Sequence, residues 1–234
     1  MICGSSIVVS IGRCQRLDRG SSPRCRIFKM KLNKNLIYTN VIFLLIFILI
    51  AILVKYTGFF NSLNLYINSF FASIGNSFFI TFSKIISIIF DTTVMVIISL
   101  VLSVYLWKKY SKQEAIFFSF VMLCDAIILF LLKFLFKIPR PISKFVTESD
   151  FAFPSGHATT SVVFFGLLTY LIIRKAKNFK LKTILISVFM ILLIAISRLY
   201  LGIHWLTDIL GGFALGIFIL TGFIIIKKLK NGRS

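Results

Sequence analysis

Residues 36–56 read LIYTNVIFLLIFILIAILVKY. An α-helix rises ~1.5 Å per residue, so about 20 apolar residues are what a helix needs to cross a hydrocarbon core. Working outward from this stretch, five further runs of similar length and character occur at roughly 86–107, 115–135, 157–174, 183–201 and 207–226. Of the 234 residues, 58% are hydrophobic and only 15% charged, with a mean hydropathy of +0.97. Soluble domains are about half apolar and about a quarter charged. The pattern therefore predicts an all-α polytopic membrane protein, a bundle of six transmembrane helices.

The connection between the first two spans has a different pattern. Asn61, Asn64 and Asn68 share one helical face, and Phe60, Leu63, Ile67, Phe70, Phe71 and Ile74 fall mostly on the other. That predicts an amphipathic helix lying in the membrane interface; the alternative is that it lengthens a tilted second span. At the N-terminus, residues 1–29 are rich in Arg, Ser, Gly and Cys, whereas the remainder is rich in Ile, Phe, Leu and Lys. They read as a basic extension, disordered or upstream of a true start at Met30, and residues 30–234 as the membrane domain. The apolar stretch 6–11 is too short before Arg13 for a signal peptide.

The formal net charge is +20. Spread over a soluble surface, such a charge would suggest nucleic acid, but here the cations sit in short clusters between apolar runs, which excludes that partner. Clusters occur before span 1 (Lys31, Lys34), between spans 2 and 3 (Lys108, Lys109, Lys112), between spans 4 and 5 (Arg174, Lys175, Lys177, Lys180, Lys182) and after span 6 (Lys227, Lys228, Lys230, Arg233). All fall on one side of a six-span chain, and the positive-inside rule makes that side cytoplasmic in a plasma membrane. The opposite side holds the 136–156 loop, which breaks the bias with Lys137, Arg140 and Lys144. Cys3, Cys14, Cys25 and Cys124 form neither a zinc pattern nor a disulfide framework.

The chain has two histidines, His157 and His204, both at predicted outer ends of spans. His157 closes Phe-Pro-Ser-Gly-His at 153–157; before it come Lys133, six residues, then Arg140-Pro141. Around His204 stand Ser197-Arg198, five residues, His204, three residues and Asp208. These residues suit phosphoryl transfer without a metal. Arg and Lys neutralise phosphate oxygens, the helix opening at Pro154-Ser155-Gly156 offers free N–H groups to an anion, and Gly156 allows close approach. A neutral imidazole can attack phosphorus while a second, protonated one donates to the leaving oxygen. Asp208, four residues beyond His204, lies on the same helical face and can hold one ring nitrogen, which favours His204 as the attacking group.

Lys133-x6-Arg140-Pro141, Pro154-Ser155-Gly156-His157 and Ser197-Arg198-x5-His204-x3-Asp208 resemble the three signature motifs of the type 2 phosphatidic acid phosphatase superfamily. That group includes lipid phosphate phosphatases, bacterial acid phosphatases and vanadium haloperoxidases. All motif positions match in order over residues 133–208. The resemblance implies His204 as nucleophile forming a phosphohistidine, His157 as general acid and Asp208 as the residue orienting His204. It also implies Lys133, Arg140, Ser155, Gly156 and Arg198 as a phosphate cradle, with no metal or cofactor. The expected activity is hydrolysis of a phosphomonoester or diphosphate on a membrane lipid at the extracytoplasmic face. Undecaprenyl diphosphate ranks first for an outward site in a bacterium, beside phosphatidylglycerol phosphate and phosphatidic acid.

Two rivals stand beside this reading. A lipid phosphotransferase of the same family would share every motif. A transporter would use the intramembrane Asp91 and Asp125, which otherwise read as hydrogen-bonding core residues or protonated acids, but it would carry inverted repeats that the sequence lacks. Tyr200 and Trp205 read as aromatic-belt residues, and Gly211, Gly212 and Gly216 as sites of close helix packing.

Overall fold

The computed structural model describes residues 6–15, 24–143, 145–146, 148–175 and 177–231. Cys3, Lys144 and Arg233 lie outside the described residues. Two strands, β1 (Ser6–Gln15) and β2 (Arg24–Asn33), pair antiparallel with Ser6 opposite Asn33 and Gln15 opposite Arg24. β2 crosses Met30, the expected domain boundary, and leads directly into the first helix.

The membrane body is all-α. Its helices are α1 (Lys34–Tyr56), α2 (Asn61–Ser73), α3 (Ser77–Ile89), α4 (Thr92–Lys109), α5 (Lys112–Phe136), α6 (Gly156–Lys175), α7 (Lys180–Tyr200) and α8 (Leu206–Asn231). Six of them, α1 and α4 to α8, are long and apolar enough to span a bilayer. Each satisfies its backbone hydrogen bonds internally, as a hydrocarbon solvent requires. Large apolar side chains face outward along α1, among them Leu45, Leu49 and Ile52, and along α5, among them Leu131 and Leu135.

At the centre stands α6, whose first ten residues are all buried. It packs against α8 through small residues. A Cβ on Gly212 would stand 2.9 Å from Ala158 Cβ and from the Ser155 carbonyl, and one on Gly216 would stand 2.8 Å from Val162 Cβ. Gly211 is pressed equally hard against the Phe153 ring. Gly212 and Gly216 therefore have the close helix-packing role read from the sequence and hold the starts of α6 and α8 side by side, whereas Gly211 makes room for Phe153 in the segment before α6.

The α1–α4 connection differs from expectation. In place of one amphipathic helix there are two, α2 and α3, bent by 119° at a short break. The second span begins at Thr92 rather than 86, because Asp91 caps α4: its carboxylate accepts from Thr93 N at 2.8 Å. Asp91 is thus a helix cap and not a mid-span carboxylate. From the asparagine face of α2, Asn64 turns inward while Asn61 stays exposed. Asn64 is buried, donates to Thr207 Oγ1 (3.1 Å) and accepts from Thr207 N (3.3 Å), while Leu63, Leu65 and Phe70 are exposed. Ile67 and Phe71 are also partly buried against the protein, so the side of α2 that packs inward mixes polar and apolar residues. Tyr200 is not a belt residue either: its hydroxyl donates to the Ile74 carbonyl and accepts from Asn76 N, pinning the α2–α3 bend to α7.

Candidate active site

Helix ends and one loop build the site. Lys133 lies in the last turn of α5, which stops at Lys137 in a left-handed conformation (φ 51°). Pro139 and Pro141 then keep the chain out of helix on either side of Arg140. Gly156 and His157 open α6, Arg198 lies in the last turn of α7, and Asp208 in the first turn of α8. Gly202 makes the α7–α8 turn with φ +61°, a conformation that favours glycine, and so delivers His204. Asn68 approaches that glycine closely, while Trp205 Nε1 donates to the Pro139 carbonyl at 3.0 Å and fastens the turn to the Arg140 segment.

His204 is held on both ring nitrogens. Nδ1 lies 3.2 Å from Asp208 Oδ2, which also accepts from Trp205 N at 2.8 Å. Nε2 lies 3.0 Å from Arg140 Nη1. A guanidinium only donates, so Nε2 is the accepting nitrogen and Nδ1 carries the proton toward Asp208. Burial first, and then the positive charges of Arg140, Arg198 and Lys133, hold the His204 imidazole well below its ordinary range. It is neutral, with a lone pair aimed at the basic cluster. Arg140 is itself braced by the Ile203 carbonyl at 2.8 Å.

Nearby, Arg198 is almost wholly buried. Its guanidinium contacts the Ser87 hydroxyl and donates to Glu148 Oε1 at 2.8 Å. Its Nε has no hydrogen-bond partner among the described residues. Lys133 and Arg140 both contact the Asp150 carboxylate. Burial raises the Asp150 carboxyl, but hydrogen bonds and charge from Lys133 and Arg140 outweigh it and hold the group below its usual range. His157 Nε2 is 3.1 Å from the Ser87 carbonyl, and a carbonyl only accepts, so Nε2 bears the proton there. Ser155 N donates to the Asp208 carbonyl at 3.0 Å, and the first N–H groups of α6 lack intrahelical acceptors.

All eight residues singled out in the sequence thus meet at one end of the bundle. Asp125 stands apart from them. It is buried and accepts from Thr160 Oγ1 at 2.8 Å, the hydrogen-bonding arrangement considered for it. Lys137 is exposed and ends α5. Three participants were missed: Ser87, Glu148 and Asp150. Ser87 carried no sequence signal. The two carboxylates did, as acidic residues in a loop otherwise read only for its cations.

A neutral histidine backed by an aspartate, facing three cations at a helix start, is the chemistry the three motifs describe. The sequence model of the PAP2 superfamily matches residues 114–231, half of the chain and all eight of these positions. The chain belongs to the PAP2 superfamily. Among curated PAP2 relatives, phosphatidylglycerophosphatase B of Bacillus subtilis (strain 168) is 35% identical over 104 residues. That match takes in 42% of this chain and 50% of the relative, so it spans about half the relative's length. The fold resembles the crystal structure of a transmembrane PAP2 type phosphatidylglycerolphosphate phosphatase from Bacillus subtilis. The TM-score is 0.75 and the identity 23%, over 83% of this chain and 96% of the other.

Proposed function

We propose that this PAP2 protein hydrolyses a phosphomonoester or diphosphate on a membrane lipid, through a phosphohistidine at His204 and without a metal. The observation that carries the proposal is the His204 ring, neutral, fixed by Asp208 on one side and presenting Nε2 to Arg140 on the other. In the first step His204 Nε2 bonds to phosphorus, the bond from phosphorus to the lipid's leaving oxygen breaks, and His157 gives that oxygen a proton. The ring becomes cationic, which Asp208 stabilises. In the second step water attacks, the P–N bond breaks and His157 takes the proton back. Lys133, Arg140, Arg198 and the α6 start neutralise charge on the phosphoryl oxygens throughout.

The ends of the spans are where lipid headgroups lie, which supports a lipid substrate. Among candidates, the names of the two relatives favour phosphatidylglycerol phosphate ahead of undecaprenyl diphosphate and phosphatidic acid. Purified protein in EDTA, offered all three, is expected to release phosphate from at least one, and His204→Ala to release none. Trapped label should be base-stable and acid-labile at residue 204. An active His204→Ala protein, or activity that needs added Mg²⁺, defeats the mechanism.

We further propose that the site faces outward from the cytoplasm. Supporting this, the basic ends of α6 and α8 gather around Glu114 in the first turn of α5, at the end of the bundle opposite His204. In a background lacking native cysteines, an impermeant thiol reagent on intact cells should label Ile142→Cys and spare Lys180→Cys. The opposite pattern would place the site in the cytoplasm.

A further inference from the structure

The basic cradle is not empty. Asp150 sends Oδ2 to Lys133 and Oδ1 to Arg140, and its carbonyl accepts from Arg140 Nε at 3.0 Å. Glu148 places Oε1 2.8 Å from Arg198 and Oε2 3.9 Å from Arg140. Two carboxylates from one loop thus put four oxygens among three cations, the arrangement a bound phosphate would present. They lie on the open side: the side chains of Asp150 and Glu148 are 49% and 30% exposed, against 15%, 9% and 1% for Lys133, Arg140 and Arg198 beneath them. The cradle is still unsaturated, since Arg198 Nε lacks a partner among the described residues.

Beyond Asp150 the chain is firmly held. Ala152 N donates to the Ile138 carbonyl at 2.9 Å, and Phe153 is fully buried with its ring stacked on Phe47. The carboxylates therefore sit on the exposed run just ahead of the segment that anchors α6.

We propose that Glu148 and Asp150 are displaceable internal anions that occupy the phosphate cradle and set its selectivity by charge. This rests on reading the cradle as the phosphate site. Tethered carboxylates compete at an effective concentration on the order of millimolar. A terminal phosphate with a charge of about −1.5 to −2 can outbid them for the three cations. A phosphodiester headgroup, with a single charge and fewer free oxygens, cannot. The bulk phospholipids that surround the site in large excess are thereby kept out, a discrimination against wrong ligands and not a gain for the right one.

The test is equilibrium binding of inorganic phosphate to the full-length protein by calorimetry, in a His204→Ala background so that no turnover enters. Glu148→Gln and Asp150→Asn keep size and shape while removing charge. Each is expected to tighten phosphate binding, and the double variant by roughly tenfold or more. Phosphatidylglycerol, a singly charged diester, should compete with phosphate in the double variant and not in the parent. Unchanged or weaker phosphate binding in folded variants, judged by an unaltered melting profile, overturns the proposal, because the carboxylates would then be bracing the cations. Phosphate binding by none of the proteins overturns it as well. Tighter binding in the variants, joined to a protein that turns over no lipid phosphate, would sustain the internal anions and defeat the lipid phosphatase reading alone.

Discussion

The two ends of the helical bundle carry ion clusters of similar chemistry and opposite construction. At the end away from His204, Glu114 stands in the first turn of α5, with Ser111 capping that turn at 3.2 Å. It pairs with Arg174 of α6 at 2.8 Å and contacts Lys227 of α8, whose ammonium also lies 4.1 Å from the Phe117 ring. Every member is on a helix, and the carboxylate of α5 is held between cations of two other helices. At the His204 end, two of the cations are on helices and the third is braced by a backbone carbonyl, while the carboxylates come from a loop on the open side. A cluster whose anion is fixed ties helices together. A cluster whose anion can leave is a binding site in waiting. Counting salt bridges would treat the two alike.

The largest expected difference between the ends is catalytic. Arg140→Lys should cost roughly 10²-fold or more in kcat/KM. Arg140 bridges the Asp150 carboxylate, the Ile203 carbonyl and His204 Nε2 at once, and a single ammonium cannot reproduce that fork. The melting temperature should barely move, because the segment is also fastened through Trp205 and Ala152. Near-normal kinetics for Arg140→Lys would show that a point charge suffices there.

A second test concerns the sign of the electrostatic field at the site end. With burial and three cations acting on it, His204 should stay neutral below the imidazole's ordinary pKa of about 6.5. Neutral His204 is the attacking form, so acidification through pH 6.5 should not by itself switch off kcat/KM. The substrate's own second ionisation, near pH 6, overlaps that range. The chain has only two histidines, so His157→Asn leaves His204 alone for a ring-labelled NMR titration. A midpoint at or above 6.5 would mean that the carboxylate of Asp208, 3.2 Å from Nδ1, outweighs burial and the cations in what His204 feels.

The spans, the site end and the eight motif residues were legible because each signal is local. Long apolar runs, prolines at 139, 141 and 154, and fixed spacings around His157 and His204 need no knowledge of tertiary contacts. The features that escaped depend on contacts between distant segments. Ser87 meets Arg198 across 111 positions and Asn64 meets Thr207 across 143, so neither pairing has a sequence pattern. The inward turn of Asn64 has the same cause: the periodicity of α2 shows two faces but not which residues meet protein. The break between α3 and α4 was readable in part. Asp91-Thr92-Thr93 is a helix-start signal inside an apolar run, and hydropathy alone overrode it.

The smallest expected effect is at the opposite end and is the one that most sharpens the contrast. Glu114→Gln preserves shape and removes the charge that Arg174 and Lys227 share. Those two cations would then face each other without a counter-ion. Arg174 is 44% exposed and can turn into solvent, so water screens much of the repulsion; Lys227, at 9%, has less freedom. The net loss should be about 1 kcal/mol, a shift of roughly 2–4 °C in Tm for a chain of this length. Activity per folded molecule should be unchanged, because the cluster lies a full span from His204 and shares no residue with the cradle. Thermal melts and phosphate release on the same preparation check both halves. A several-fold fall in kcat with an unshifted melt would mean that the two ends communicate along α6 and α8, whose glycine-lined contact at Gly212 and Gly216 is the rigid path between them. In that case the opposite cluster would no longer be a purely structural tie.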